Sequence, residues 1–407
     1  MTVIRPLLAL GLMLSSSTAW GQHQQHGAPA RPDCAHGETG LACAKQASPA
    51  FLKDGTLVLA WSAGGRVMMA RSADHGASLS QPVAVNSAVE AIDESGDARP
   101  AIAADGRGRV FVAYVLRKEA AYSGTLMLGR SPDGGHSFAA PRTVASEPTS
   151  QRFPVLRVDA SDRLYLAWID KRGITAAKAA GHPYRGAALA MAWSDDGAET
   201  FAFEGIAQHS SCECCRIALD LDSRGRPMVL WRHVFAPNIR DHAVMTFADR
   251  DHPGPLRRLS EDDWRIDACP HHGPALALLP ADGSIHAAWY TAGKTRKGLF
   301  LARAASSGDD FSEPRPIGRP DHSPSYPQLL AQAGNLHLAW REFDGETSRV
   351  MAQRSTDAGL TWSPPREIAA TKDSSDRPIL ISDGRHAFLS WLTRAEGWRL
   401  IPLENAP

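Results

Sequence analysis

The chain has 407 residues, with 44 Lys and Arg balanced by 44 Asp and Glu, and six cysteines. The balance, with no basic stripe and no acidic tail, argues against a nucleic-acid partner. Beyond the first residues there is no run of about 18 apolar residues, so no membrane span is expected.

The N-terminus reads as an export signal. Arg5 precedes a short apolar run from Pro6 to Leu14, and Ala19 and Gly21 satisfy the small-residue rule for cleavage after Gly21. Residues 1–21 are thus expected to be a signal peptide, residues 22–46 a leader and residues 47–407 one domain, in the periplasm or secreted. The leader scatters His23, His26, Cys34, His36 and Cys43. Its ordinary reading is a solvated tail in which Cys34 and Cys43 pair as a disulfide.

A phrase then recurs seven times: a segment opening near a Pro, a turn with Gly or Asp, and an apolar strand ending in an aromatic. The copies begin at Ser48, Arg99, Phe153, Arg216, Gly273, Tyr326 and Arg377, and end at Trp61, Tyr114, Trp168, Trp231, Trp289, Trp340 and Trp391. They start about 50 to 63 residues apart. That period suits a blade of four antiparallel strands, so the fold expected is an all-β propeller of seven blades, or of six with one irregular copy. The last copy lacks a fourth strand after Gly397 to Leu403. The segment from Gly37 to Gln46 could supply it and close the ring.

A second phrase falls between the third and fourth strands. Ser131 to Phe138 and Ser355 to Trp362 match S-x-D-x-G-x-x-[FW] in full. Ser72 to Leu79 matches except at its last residue, while Ser194 to Phe201 and Ala304 to Phe311 are degraded copies. In this pattern the Asp accepts from turn N–H groups, Gly takes positive φ and the aromatic packs between strands. The pattern resembles the Asp-box, or BNR repeat, of the sialidase superfamily, over about residues 48 to 404.

That resemblance implies an exo-sialidase-type glycoside hydrolase acting on an acidic glycan, with the Asp-box turns on the face away from the chemistry. The family's chemistry uses three arginines clamping a carboxylate, a Tyr nucleophile helped by a Glu, and an Asp acid/base. Its opening arginine lies in an Arg-Ile-Pro phrase where this chain reads Ala47-Ser48-Pro49. Arg99, Arg152, Arg216 and Arg377 stand at the mouths of other copies as anionic-ligand candidates. Tyr326 or Tyr290 with Glu342, and Asp93 or Asp97, are the remaining candidates for the family's roles.

Aligning the copies on their Pro brings forward different chemistry. Cys212 then matches Cys269, Cys214 matches His271, Cys215 matches His272, and His322 takes the Cys212 position in the sixth copy. Soft donors at equivalent loop positions of adjacent blades would meet at the channel mouth. Thiolates and imidazoles suit copper(I), the favoured ion, and also zinc. The main expectation is an exported soft-metal-binding propeller acting in metal handling or metalloprotein assembly, with Cys212, Cys214, Cys215, Cys269, His271 and His272 as ligands and His322 in reserve. A Cys212–Cys269 disulfide stapling two blades is the structural alternative, and a protein-binding scaffold is a further functional one. No G-x-S-x-G, H-E-x-x-H, P-loop or dinucleotide fingerprint is present.

Overall fold

The computed structural model describes residues 34–35, 37–94, 98–119, 122–147, 149–181, 186–247 and 252–404. The expected signal peptide, His23, His26, His36 and Asp97 lie outside these residues.

Each repeat folds into one antiparallel sheet whose strands are neighbours in sequence order. Seven such sheets form, six with four strands and the last with three, so the ring has seven blades rather than six. The inner strands are Ala47–Phe51, Ala101–Ala104, Gln151–Val158, Ala218–Leu221, Ala275–Leu278, Ser325–Gln332 and Ile379–Ser382. Each touches the inner strand of the next blade, and the seventh touches the first.

The second strands explain why the sheets stack. A blade interior to the ring is covered on both faces, so its second strand is buried along its whole length rather than on alternate positions, and is mostly apolar. Leu57–Ala63, Leu164–Asp170 and Ala387–Thr393 are buried at every residue. The aromatic that closes each copy fills the gap between neighbouring sheets. Trp61, Tyr114, Trp168, Trp231, Trp289, Trp340 and Trp391 are all essentially inaccessible to solvent. A buried indole needs an acceptor for its N–H. Trp168 finds Asp170 at 2.9 Å, Trp289 finds Asp262 at 2.8 Å and Trp340 finds Glu342 at 2.8 Å.

The turns between third and fourth strands owe their shape to local hydrogen bonds. In the second blade the Gly135 N–H donates to Ser131 Oγ at 2.7 Å, and the Ser137 N–H donates to Asp133 Oδ1 at 2.9 Å. Ser72 with Asp74 and Ser355 with Asp357 repeat this pattern. Ser194 and Asp196 also repeat it, although the sequence there is degraded: Ala198, at φ 66°, takes the place of the glycine. Antiparallel order puts these turns at one end of the ring. The loops between blades, and the helix Arg172–Ala179 inserted between the second and third strands of blade three, lie at the other.

Ring closure differs from expectation. The segment from Gly37 to Gln46 adds no strand to the seventh blade; Leu41–Cys43 forms a single 3-10 turn instead. Cys34 and Cys43 are joined by a disulfide, and the Thr39 carbonyl accepts the Trp61 indole N–H at 2.8 Å. The segment is therefore held over the first blade, where Glu38 and Gly37 backbone lies so near Gly64 that any Cβ there would collide with it. Side chains close the seam. Leu392 packs with Leu59 and Trp61, and His75 pairs with Asp383 at 3.2 Å across the gap. Among the described residues no helix is long and apolar enough to cross a membrane.

Candidate metal centre and channel mouth

The first sulfur-bearing loop leaves the outer strand Phe203–Ser211 of blade three and enters blade four. The Cys212 N–H donates to the Arg232 carbonyl at 2.9 Å, which fixes the start of the loop. Glu213 pairs with Lys171 at 2.9 Å, just ahead of the inserted helix. With the loop anchored at Cys212 and Glu213, the sulfurs of Cys212, Cys214 and Cys215 cluster together, and all three residues are buried. Their Sγ atoms lie within 4.8 Å of one another, with Cys212 and Cys214 at 3.6 Å.

The second loop runs from Leu259 to Pro274 and enters blade five. Asp241 shapes it. Its carboxylate accepts from the N–H groups of Asp262 at 2.9 Å, Asp263 at 3.0 Å and Trp264 at 3.1 Å, and also pairs with Arg258. Arg232, itself buried, reaches the same loop. It donates to the carbonyls of His272 at 3.3 Å, Tyr290 at 2.9 Å and Arg240 at 2.8 Å, with its guanidinium over the Trp264 ring. The two loops touch at Gly273, where an added Cβ would fall 2.6 Å from that of Arg216.

This framework brings Cys269 and His271 to Cys214, the three donor atoms within 4.8 Å of one another. Cys214 is thus common to two sets of three. Cys269 is exposed and His271 is half-buried. None of these four cysteines is in a disulfide, so the proposed staple between Cys212 and Cys269 is absent. His272 joins neither set; it stacks on Tyr290 at 4.0 Å between ring centroids. Nor does His322, whose ring lies 3.5 Å from Glu342 and 3.8 Å from Asp321. Both depart from the aligned pattern because aromatic stacking and a buried carboxylate hold their rings elsewhere.

Three thiols this close cannot all ionise. Burial opposes the Cys212 thiolate, but hydrogen bonds from Cys214 and Cys215 and the Arg232 charge outweigh it and hold that thiol well below its usual range. Arg240 Nη1 also lies 3.8 Å from Cys212 Sγ. Cys214 is pushed up, chiefly through its bond to the Cys212 sulfur, and Cys215 chiefly by burial. At the exposed edge, the bond from Cys214 lowers Cys269 to about 7.

The arginines divide into structural and axial groups. Arg152 is engaged in a buried ion pair: it donates to Asp93 Oδ2 from Nε at 3.1 Å and Nη2 at 2.7 Å, which also occupies Asp93. Arg99 ties the seam, reaching the Ala47 carbonyl at 3.3 Å, the Arg377 carbonyl at 3.0 Å and Asp376 at 3.3 Å. Asp376 is buried, and burial raises its carboxyl to about 7 despite Arg99. Arg216 and Arg377 instead lie over the Tyr326 ring, at 5.2 and 5.9 Å, and Arg341 joins them at 4.6 Å.

Arg232, Arg240, Asp241 and Arg341 were not among the residues marked by sequence. A signal for two of them existed. Arg232 and Arg341 directly follow the closing tryptophans Trp231 and Trp340, where the other copies carry Ser62, Val115, Ile169, Tyr290 or Leu392. A charge at that otherwise uncharged position marks the blades that border the site.

No protein-family model matches the chain, and no curated protein matches it in sequence. Solved structures do share its fold. A polysaccharide lyase of family PL25, an ulvan lyase bound to -[GlcA(1-4)Rha3S]-, superposes with a TM-score of 0.58 at 10% identity, covering 90% of this chain and 92% of the lyase. A protein of unknown function from Dyadobacter fermentans DSM 18053 gives a TM-score of 0.51 at 15% identity over 75% of this chain and 92% of its own. At such identities the likeness concerns the propeller alone.

Proposed function

We propose that this propeller is an exported soft-metal protein that holds copper(I) between its fourth and fifth blades, in metal handling or metalloprotein assembly. The observation that carries this reading is the convergence of four cysteines outside any disulfide and one histidine from two loops about 55 residues apart. Soft thiolates select copper(I) or zinc. Structural zinc sites are almost always four-coordinate. Among the described residues the donors fall into sets of three, which suits low-coordinate copper(I) better. Charge agrees: three thiolates and one copper(I) carry a net charge of −2, and Arg232 and Arg240 stand beside Cys212 to offset it. The Cys34–Cys43 disulfide fits the oxidising compartment that the N-terminal segment implies.

The test is metal retention. Reduced protein loaded anaerobically with copper(I), and separately with zinc, is desalted and its metal counted. Wild type is expected to keep stoichiometric copper and Cys214→Ser to lose it. A wild-type protein that retains neither ion overturns the reading.

A second reading, favoured by the fold comparisons, is an enzyme acting on an acidic glycan. Its own observation is the Tyr326 ring beneath Arg216, Arg341 and Arg377 at the channel axis, an arrangement able to receive a carboxylate. Release of product from a fluorogenic sialoside or from a uronate-containing polysaccharide, lost in Arg341→Met, supports it. Absence of turnover on both substrates removes it.

A further inference from the structure

We infer that Cys214 is a relay ligand, passing a bound ion between an enclosed station (Cys212, Cys214, Cys215) and a solvent-facing one (Cys214, Cys269, His271). The inference rests on the soft-metal reading above and goes on to say how the ion enters and leaves, and what kind of partner exchanges it.

The argument is geometric. A thiolate sits about 2.3 Å from such an ion, so two sulfurs on one ion are at most about 4.6 Å apart. Each set of three satisfies a 4.8 Å limit, but no four of the described donors do so together. One ion therefore occupies one station or the other, and Cys214 is the ligand it need not release in crossing.

The two stations differ in access. Cys212, Cys214 and Cys215 are 0%, 4% and 1% exposed, so an ion held there has no direct contact with a carrier. Cys269 is exposed and lies on a loop with no strand structure of its own. That loop is anchored on both sides of the donors, by Asp241 at residues 262–264 and by Arg232 at His272, which presents Cys269 and His271 at a fixed place.

Transfer is ligand exchange. The carrier's donors leave as Cys269 and His271 bind. Cys212 and Cys215 then replace Cys269 and His271 while Cys214 stays. Each thiol that joins gives up its proton to solvent, each thiolate that departs takes one back, and the ion keeps its oxidation state. The partner is accordingly a metal carrier that presents a thiolate or imidazole of its own at the Cys269 edge.

The experiment separates rate from affinity. Full-length protein carrying one copper(I) is mixed anaerobically with bathocuproine disulfonate, and release is followed by absorbance. Reloading is followed from copper(I)–glutathione. Cys269→Ser, at an exposed position, is expected to slow release and loading by roughly tenfold or more, while weakening binding far less than Cys215→Ser does. Cys215→Ser is expected to weaken binding by about a hundredfold. His271→Ala, a second variant of the outer station, is expected to follow Cys269→Ser. The relay is overturned if Cys269→Ser weakens binding as much as Cys215→Ser with unchanged loading, or if wild type holds two coppers at once. A wild type with no bound copper or zinc fails earlier, at the metal reading itself.

Discussion

Replacing Asp241 tests whether one buried carboxylate builds the loop that carries Cys269 and His271. Asp241 is 1% exposed and accepts three backbone N–H groups while pairing with Arg258. In Asp241→Ala each buried donor loses its acceptor, at about 1–3 kcal/mol apiece, and breaking a buried ion pair costs about 3–5 kcal/mol. Arg258 is partly exposed, and water can recover part of the loss, which leaves a total on the order of 5 kcal/mol. That is comparable to the whole stability of many domains. Asp241→Asn is the measured variant: its amide oxygen still accepts, while its NH2 faces donors. Its expected cost is about 2–3 kcal/mol in urea unfolding. The same variant is expected to react faster than wild type at Cys269 with a thiol reagent under native conditions, because the loop is no longer pinned. Unchanged stability together with unchanged Cys269 reactivity refutes the assignment of Asp241 as the organiser of this loop.

Counting thiols in unfolded protein without reductant is expected to give four, rising to six once Cys34–Cys43 is reduced; in the native state Cys269 reacts first. Trp340→Phe removes the indole N–H from buried Glu342 and leaves a void, and is expected to cost about 2–4 kcal/mol in denaturant unfolding. Acid sensitivity is also expected. His242 is fully buried, with no hydrogen-bond partner at either ring nitrogen among the described residues, and burial, then Arg232 and His272, hold it well below 6.5. Burial likewise lowers His233, His286 and His337 to about 4. Because folding keeps these rings neutral, their contribution is complete above about 6.5 and is lost as pH drops towards 4, by up to about 1.4 kcal/mol per unit for each ring, while Asp376, raised to about 7, acts with the opposite sign over the same window and offsets about one ring. A flat pH profile of stability across that range counts against four buried neutral rings.

Most of the ring was legible because each blade repeats one physical problem. A sheet covered on both faces needs an apolar second strand and a large residue at its end, which is why the copies ending at Trp61 through Trp391 could be counted. The closing blade was misread because the rule that sheet edges are paired is general. Here the outer edge of the seventh blade, Gly397–Pro402, takes no fourth strand among the described residues, and Leu41–Cys43 is diverted over Trp61 instead. At the site, Pro alignment brought Cys214 together with Cys269 and His271, since equivalent loop positions become neighbours in a ring. It could not assign His272 or His322, whose ring directions depend on Tyr290 and Glu342 from other strands. Arg152 and Arg99 looked equivalent to Arg216 and Arg377 in register, but Asp93 and Asp376 engage the first pair. Those carboxylates lie outside the aligned phrase.

The side-chain seam between blades seven and one has a mechanical consequence. A propeller zipped by a shared strand has a fixed hydrogen-bond register at its closure and opens only by unzipping it. Here Leu392, Trp61, His75 and Asp383 meet as at any other blade boundary, with no register to lose. Moving the chain break to another gap between blades then exchanges one covalent loop for another and leaves the packing intact. The sulfur loops, between blades three, four and five, sit across the ring from that seam. Strain or opening at the seam is therefore borne far from Cys212, Cys214, Cys215 and Cys269, and circular permutants cut elsewhere in the ring are expected to keep these four thiols in place.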